Sequence, residues 1–237
     1  MARRNRQQPR APHQLPPGRH RLGRSFVEAN QRQRILDAVA DVSSLAGYAA
    51  MSVEDIISVA GVSRRTFYDT FVSKEDAFLA ALDGVVEELL GEIRAVYQAT
   101  NTFPDGVRDC LATFLRFVTE QPQQAELLLI ESLAAGPAAI ERRTQTLKTC
   151  AEMLRNGAER LTNGRSPPAL TAETVVGGIY EVVYSRLIAG EADRLLELLP
   201  DLAYALMQPY LGDEAARREA TRSPSLAPMP GIADARA

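Results

Sequence analysis

Histidine is almost missing from this chain: His13 and His20 are the two, both near the N-terminus. A His-based catalytic triad or metal site in the body of the protein is thereby excluded. Cysteine is as scarce. Cys110 and Cys150 make no CxxC or metal-ligand spacing, and they read as two incidental buried thiols of a cytosolic protein rather than as a redox switch. No apolar run approaches a membrane span. The N-terminus lacks the apolar core of a secretory signal, which predicts a cytoplasmic location. Pro9, Pro12, Pro16 and Pro17 argue against the amphipathic helix of a transit peptide. Strand alternation is absent, so no Gly-rich phosphate loop follows a strand. No repeat is present. With the carboxylates mostly on polar helix faces, the sequence predicts neither an enzyme nor a cofactor.

Charge of both signs is present but segregated. The formal net charge is −3. Arg3, Arg4, Arg6, Arg10, Arg19, Arg21 and Arg24 stand in residues 1–24 without an acid, about +7 there and about −10 over the remainder. Lys74 and Lys148 are the lysines; every other cation is arginine. Residues 1–24, rich in Arg, Gln and Pro, read as a disordered arm, either adding phosphate or minor-groove contacts or simply solvated.

The densest pattern is Met51 to Asp76. Ser52, Ser63 and Ser73 stand at N-cap positions, with Asp55 and Asp76 three residues after the first and third. Met51 with Ile56, and Val62 with Phe67, fit hydrophobic staples. Gly61 fits the left-handed residue of a turn. The result is helix, glycine turn, helix and the start of a third, a helix–turn–helix of the kind that reads DNA. A preceding helix is expected over about 26–46, carried by Ile35, Val39, Val42 and Leu45, with Gly47 after its end. Helical phase puts Phe67 and Phe71 in the core and Arg65 and Asp69 outward, with Thr66 and Tyr68 on the flanks.

Arg34-Ile-Leu-Asp-Ala, Ala46-Gly-Tyr48, Ser52-Val-Glu-Asp-Ile56, Ala60-Gly-Val-Ser63, Thr66-Phe-Tyr68, Phe71 and Ser73-Lys-Glu75 together resemble the N-terminal domain of the TetR family of transcriptional regulators, over about residues 32 to 82. Thr70 departs from that pattern, which usually carries His or another larger side chain there. The resemblance implies phosphate contacts from Tyr68 and Lys74. First-turn geometry adds Arg64, Arg65 as a guanine reader and Thr66. Ser52 and Ser63 are either caps alone or caps that also meet phosphate. Arg32 and Arg34 either touch the DNA backbone or are solvated.

The third helix of the motif is followed by a long one from Ser73 to about Gln98, the natural mechanical link to a second domain. Further helices are expected over about 107–120, 122–133, 138–161, 171–189 and 194–211, with a loop over 100–106. Gly84 and Gly91 permit either flexibility or close packing. The sequence thus predicts an all-α protein: arm 1–24, helix–turn–helix domain 25–73, regulatory and dimerisation domain 74–212 and a disordered tail 213–237. The resemblance implies a homodimer through helices 171–189 and 194–211, bound to a palindromic double-stranded operator and released by a small-molecule effector. The effector pocket is expected among Phe103, Phe114, Phe117, Leu128, Met153, Tyr180 and Tyr184, all of which also suit an ordinary core. Two alternatives stand beside this regulator: an architectural DNA-binding protein acting through its arm, and a small-molecule-binding helical protein.

Overall fold

The computed structural model describes residues 24–162 and 167–225, and all secondary structure in them is helical. The first helix, α1 (Arg24–Ala50), runs beyond both expected ends. Its regular part stops where glycine was expected to stop it, since Gly47 (φ 77°, ψ 153°) breaks the helical path. The arm over 1–24 lies outside the described residues, apart from the Arg24 backbone that opens α1.

Next come α2 (Val53–Ala60), α3 (Arg64–Thr70) and α4 (Lys74–Ala99). Each starts at an expected serine. The N–H groups of Asp55, Thr66 and Asp76 donate to the hydroxyls of Ser52, Ser63 and Ser73 at 3.2, 3.0 and 3.0 Å. Such a cap is worth about 1 kcal/mol. Gly61 joins α2 to α3 in the left-handed region (φ 60°, ψ 40°). A Cβ at Gly61 would also stand 2.7 Å from the Arg34 guanidinium. Phe67 and Phe71 are buried with Ile35, Val39, Met51, Ile56, Phe78 and Leu82, so the conspicuous aromatics of the motif are its core.

The second half contains α5 (Phe103–Glu120), then α6 (Pro122–Glu126), which widens into a π-helical turn over Leu127–Glu131 before α7 (Ser132–Ala134). The expected loop over 100–106 is shorter, because Thr102 caps α5 and Pro104 falls in its first turn. A proline there lacks an N–H that would have had no partner anyway, so it opens a helix instead of breaking one. The long helices α8 (Pro137–Thr162) and α9 (Leu170–Ile188) follow. A 3₁₀ stretch, Ala192–Leu198, leads into α10 (Leu199–Leu211), with Pro200 in its first turn. Helix α4 packs on α1 at one end and on α5 and α8 at the other.

The chain does not lose structure at 213. Helix α11 (Asp213–Ala220) buries Ala216 and Ala220 against the body. Arg108, 1% exposed, donates to the Glu219 carbonyl at 3.0 Å and pairs with Asp105. The buried Asp109 accepts from the Ser225 N–H at 3.0 Å. These anchors are backbone groups and two alanines, which carry no apolar signal; residues 226–237 lie outside the description. Gly84, Gly91, Gly177 and Gly178 face open space, since a Cβ on any of them meets nothing within 4 Å. Close packing inside one chain is therefore not their role.

Candidate nucleic-acid interface and buried cavity

The outward face of α3 carries Arg64, Arg65, Tyr68 and Asp69, all exposed, with Thr66 half-buried beside them. Arg65 is the freest. Its Nε lies 3.7 Å from Asp69 Oδ2 one turn on, with 90% of the side chain exposed. Arg64 is already engaged: it pairs with Glu54 of α2 and lies 5.8 Å from the Tyr68 ring centroid. Tyr68 meets the buried Phe67 edge-on at 5.3 Å. Thr70 turns inward and donates to the Thr66 carbonyl at 2.9 Å. The departure from the family pattern is thus accommodated inside the helix.

Three expectations for this face change. The Ser52 hydroxyl donates to Asp55 Oδ2 at 2.6 Å while accepting the Asp55 N–H, so its proton is committed to the capping box. The Ser52 hydroxyl, and after it the Ser52 N–H, hold the Asp55 carboxyl below its ordinary range. Ser63 accepts from Thr66 N–H and shares a hydrogen bond with the Thr66 hydroxyl at 2.8 Å, which ties both hydroxyls together. Lys74, expected at phosphate, is engaged within the chain. Its ammonium donates to the carbonyls of Tyr48, Ala49 and Met51 at 3.0, 3.4 and 2.7 Å, filling its three donor positions. Those carbonyls close α1, where the helical ladder leaves acceptors without partners. The partners stand more than twenty positions away, beyond any local motif.

Arg32 and Arg34 are likewise occupied. Arg34 donates to the carbonyls of Ala60 and Gly61, the latter at 2.8 Å, and so caps the C-terminus of α2. Arg32 lies over the Phe71 ring at 5.2 Å. Against Arg32, Arg34, Arg64 and Arg65, residues 25–73 hold Glu28, Asp37, Asp41, Glu54, Asp55 and Asp69. The helix–turn–helix itself is net acidic; the arginines of 1–24 carry the opposite charge.

Behind α4 lies an apolar cavity of about 170 Å³. Its wall draws on α4 (Leu89, Ile93), α5 (Phe103, Leu111, Phe114), the π turn (Leu128, Leu129), α8 (Met153, Leu154) and α9 (Ile179, Tyr180). Phe103, Phe114, Leu128, Met153 and Tyr180 of the expected set are on it. Phe117 and Tyr184 are not: Phe117 is buried elsewhere in the core, and Tyr184 stacks on Tyr180 at 6.4 Å. Cys110 and Cys150 also line the wall, where burial pushes their thiols up to about 12 and about 11. Neither is a thiolate at neutral pH. Gly157 lets α8 approach, since a Cβ there would fall 2.6 Å from the Tyr97 hydroxyl and 3.2 Å from the Phe103 ring. A cavity of about 150 Å³ with such a lining stays dry and admits benzene.

A joint that sequence reasoning missed connects the two regions. The π turn leaves two carbonyls to side-chain donors: Ser132 Oγ donates to Leu128 O at 2.6 Å and Tyr180 Oη to Leu129 O at 2.8 Å. The acids flanking that turn reach α1. Glu126 accepts from the Ser44 hydroxyl, and Glu131 Oε2 accepts from the Tyr48 N–H at 2.6 Å. Tyr48 is therefore held through its N–H by Glu131 of the π turn, whose Leu128 and Leu129 line the cavity, and through its carbonyl by Lys74 of α4. Its ring also packs edge-on against Phe78 at 4.8 Å. A path from cavity to reading head exists beside α4.

Residues 35–81 match the family model described as bacterial regulatory proteins, tetR family. The chain is 25% identical over 137 residues to the HTH-type transcriptional activator FasR of Mycolicibacterium smegmatis, covering 58% of this chain and 63% of the relative. It is 26% identical over 125 residues to the HTH-type transcriptional regulator RutR of Escherichia coli K12, covering 53% and 58%. The match thus spans about three fifths of these relatives' length. Among solved structures, the fatty acid degradation regulator FadR of Bacillus halodurans superposes with TM-score 0.67 at 20% identity, over 74% of this chain and 94% of that one. FadR of Bacillus subtilis in complex with stearoyl-CoA gives 0.66 at 17% identity, over 76% and 98%. These two are likenesses of fold.

Proposed function

We propose that the chain is a homodimeric, ligand-responsive repressor of a palindromic operator, a member of the TetR family of bacterial transcriptional regulators whose model it matches over residues 35–81. The observation that carries the reading is the pairing of an exposed face on α3 with an apolar cavity, joined by α4 and by the Tyr48 clamp. Arg65 reads base edges, Thr66 and Tyr68 contact backbone, and Arg64 joins them when Glu54 releases it. The arginines of 1–24 supply the sequence-independent attraction that the net-acidic motif lacks. Dimerisation uses α9 and α10, where Val182 and Ile188 are exposed and Gly177 and Gly178 lie open. The protein works in the cytoplasm on the nucleoid.

An aliphatic effector fills the cavity and favours an arrangement in which the two α3 helices no longer match successive major grooves. FadR of Bacillus subtilis carries stearoyl-CoA, which supports an acyl chain as the ligand class. The cavity is near the size that takes benzene, so a long chain must widen it. Fluorescence anisotropy of the chain's own upstream DNA tests the reading. The expected result is specific binding with one dimer per palindrome. Equal affinity for scrambled DNA, lost with residues 1–24, would instead favour the architectural alternative.

A further inference from the structure

The cavity wall is largely apolar and carries one charge. Arg143 of α8 is the only charged side chain among its described lining residues. Its Nε is buried without a hydrogen-bond partner, and among the described residues no carboxylate pairs with its guanidinium. The contrast with the preceding residue is direct: Arg142 donates to Asp83 at 2.7 Å and to the Ala138 carbonyl at 3.2 Å. Arg143 instead lies 4.1 Å from the centroid of the Tyr180 ring. Arg143 is half-buried and its charge is permanent, and a buried N–H without an acceptor, as at its Nε, is costly. The Tyr180 ring and hydroxyl offset part of the charge, while the Nε–H stays unfilled. The site lacks an anionic oxygen at the edge of an apolar chamber.

We propose that Arg143 is a ligand-recognition residue that pairs with the anionic end of an aliphatic effector whose chain lies in the cavity. The inference rests on the reading that this cavity is the effector site. The chemistry required is a carboxylate or phosphate oxygen joined to an apolar chain. A free fatty acid presents it directly and an acyl-CoA through the pyrophosphate beyond its thioester and pantetheine arm; a fatty alcohol of equal length does not. The place also matters, because the Tyr180 hydroxyl beneath Arg143 holds the Leu129 carbonyl of the π turn. Ligand charge at Arg143 therefore sits at the first bond of the path towards Tyr48.

The test uses the full chain and three probes of one chain length, octanoate, octanoyl-CoA and octanol, each titrated by calorimetry into wild type, Arg143→Gln and Arg143→Met. Melting of the ligand-free variants establishes that they fold. The proposal predicts that Arg143→Gln weakens the anionic probe about tenfold or more and leaves octanol within about threefold. Octanoate bound with that pattern identifies a carboxylate as the partner; the pattern confined to octanoyl-CoA identifies a phosphate. If both variants lose all probes equally, or if wild type takes octanol as tightly as both anions, the Arg143 assignment is overturned while the cavity stands as an effector site. Should no probe bind wild type, both fall. A variant too unstable to assay leaves the wild-type comparison of octanol with the anions to decide.

Discussion

The helix–turn–helix and the body behind it differ in how their helix starts are held. In the first, Ser52, Ser63 and Ser73 each meet a group three residues ahead, while Arg34 and Lys74 tie the helices together from more than twenty positions away. In the second, distant bonds join the elements: Tyr48 to Glu131, Tyr180 to Leu129, Arg108 to Glu219 and Asp109 to Ser225. The helix starts of the first region are closed by short-range caps. The second lines a cavity of about 170 Å³ and holds a guanidinium whose Nε lacks an acceptor, so it has room to change. The proposed ligand-responsive regulator needs both, and the Tyr48 clamp is where they meet.

The largest expected effect tests the distant bonds. Ending the chain at Gly212 removes the partners of Arg108 and Asp109 that α11 and Ser225 provide. Each charge-assisted bond lost costs roughly 1.5–3 kcal/mol, and thermal unfolding should show a clearly lower midpoint. An unchanged midpoint would mean that α11 is an ornament of the body and that the long-range bonds count for little.

The next tests the reading face. Arg65→Ala should weaken specific operator binding by ~1–3 kcal/mol if the contact is a bidentate base pairing. Affinity for scrambled DNA should change far less. Equal loss on both sequences would reduce Arg65 to a phosphate contact.

Glu131→Gln sharpens the comparison at the joint. The amide keeps an oxygen for the Tyr48 N–H but loses the charge. Operator affinity without effector should hold, while the effector's influence on it should shrink by about fivefold, a modest coupling loss. An undiminished response would return the signal to α4 alone. The smallest effect is Glu54→Gln, which frees an exposed Arg64. Exposed pairs of this kind contribute little, so DNA affinity should rise only a few-fold and the salt dependence should steepen. A fall in affinity would mean that Glu54 positions Arg64 rather than competing for it.

Legibility in the sequence follows the same division. The caps, the Gly61 turn and the burial of Phe67 and Phe71 were all readable, because each depends on neighbours within one or two turns. The Lys74 hydrogen bonds were hidden for the opposite reason: the carbonyls that Lys74 holds lie at and just beyond the end of α1. Helix α11 was invisible because its buried contact is Ala216 and Ala220. Pro104 carried a signal that was there to be used, since Thr102 and Asp105 around it form a capping pattern. Five of the seven residues expected at the pocket line the cavity, but helical period alone could not separate them from Phe117, a core residue of the same helix. Arg143 gave no sign in sequence, where it is one arginine beside another.

The most direct test of the account is operator affinity measured with the cavity empty and filled. Anisotropy of the chain's own upstream DNA should be titrated with and without octanoate or stearoyl-CoA, with calorimetry run alongside to confirm occupancy. The account predicts at least a tenfold fall in specific affinity when either probe is bound. Affinity that stays the same with the cavity occupied would contradict it.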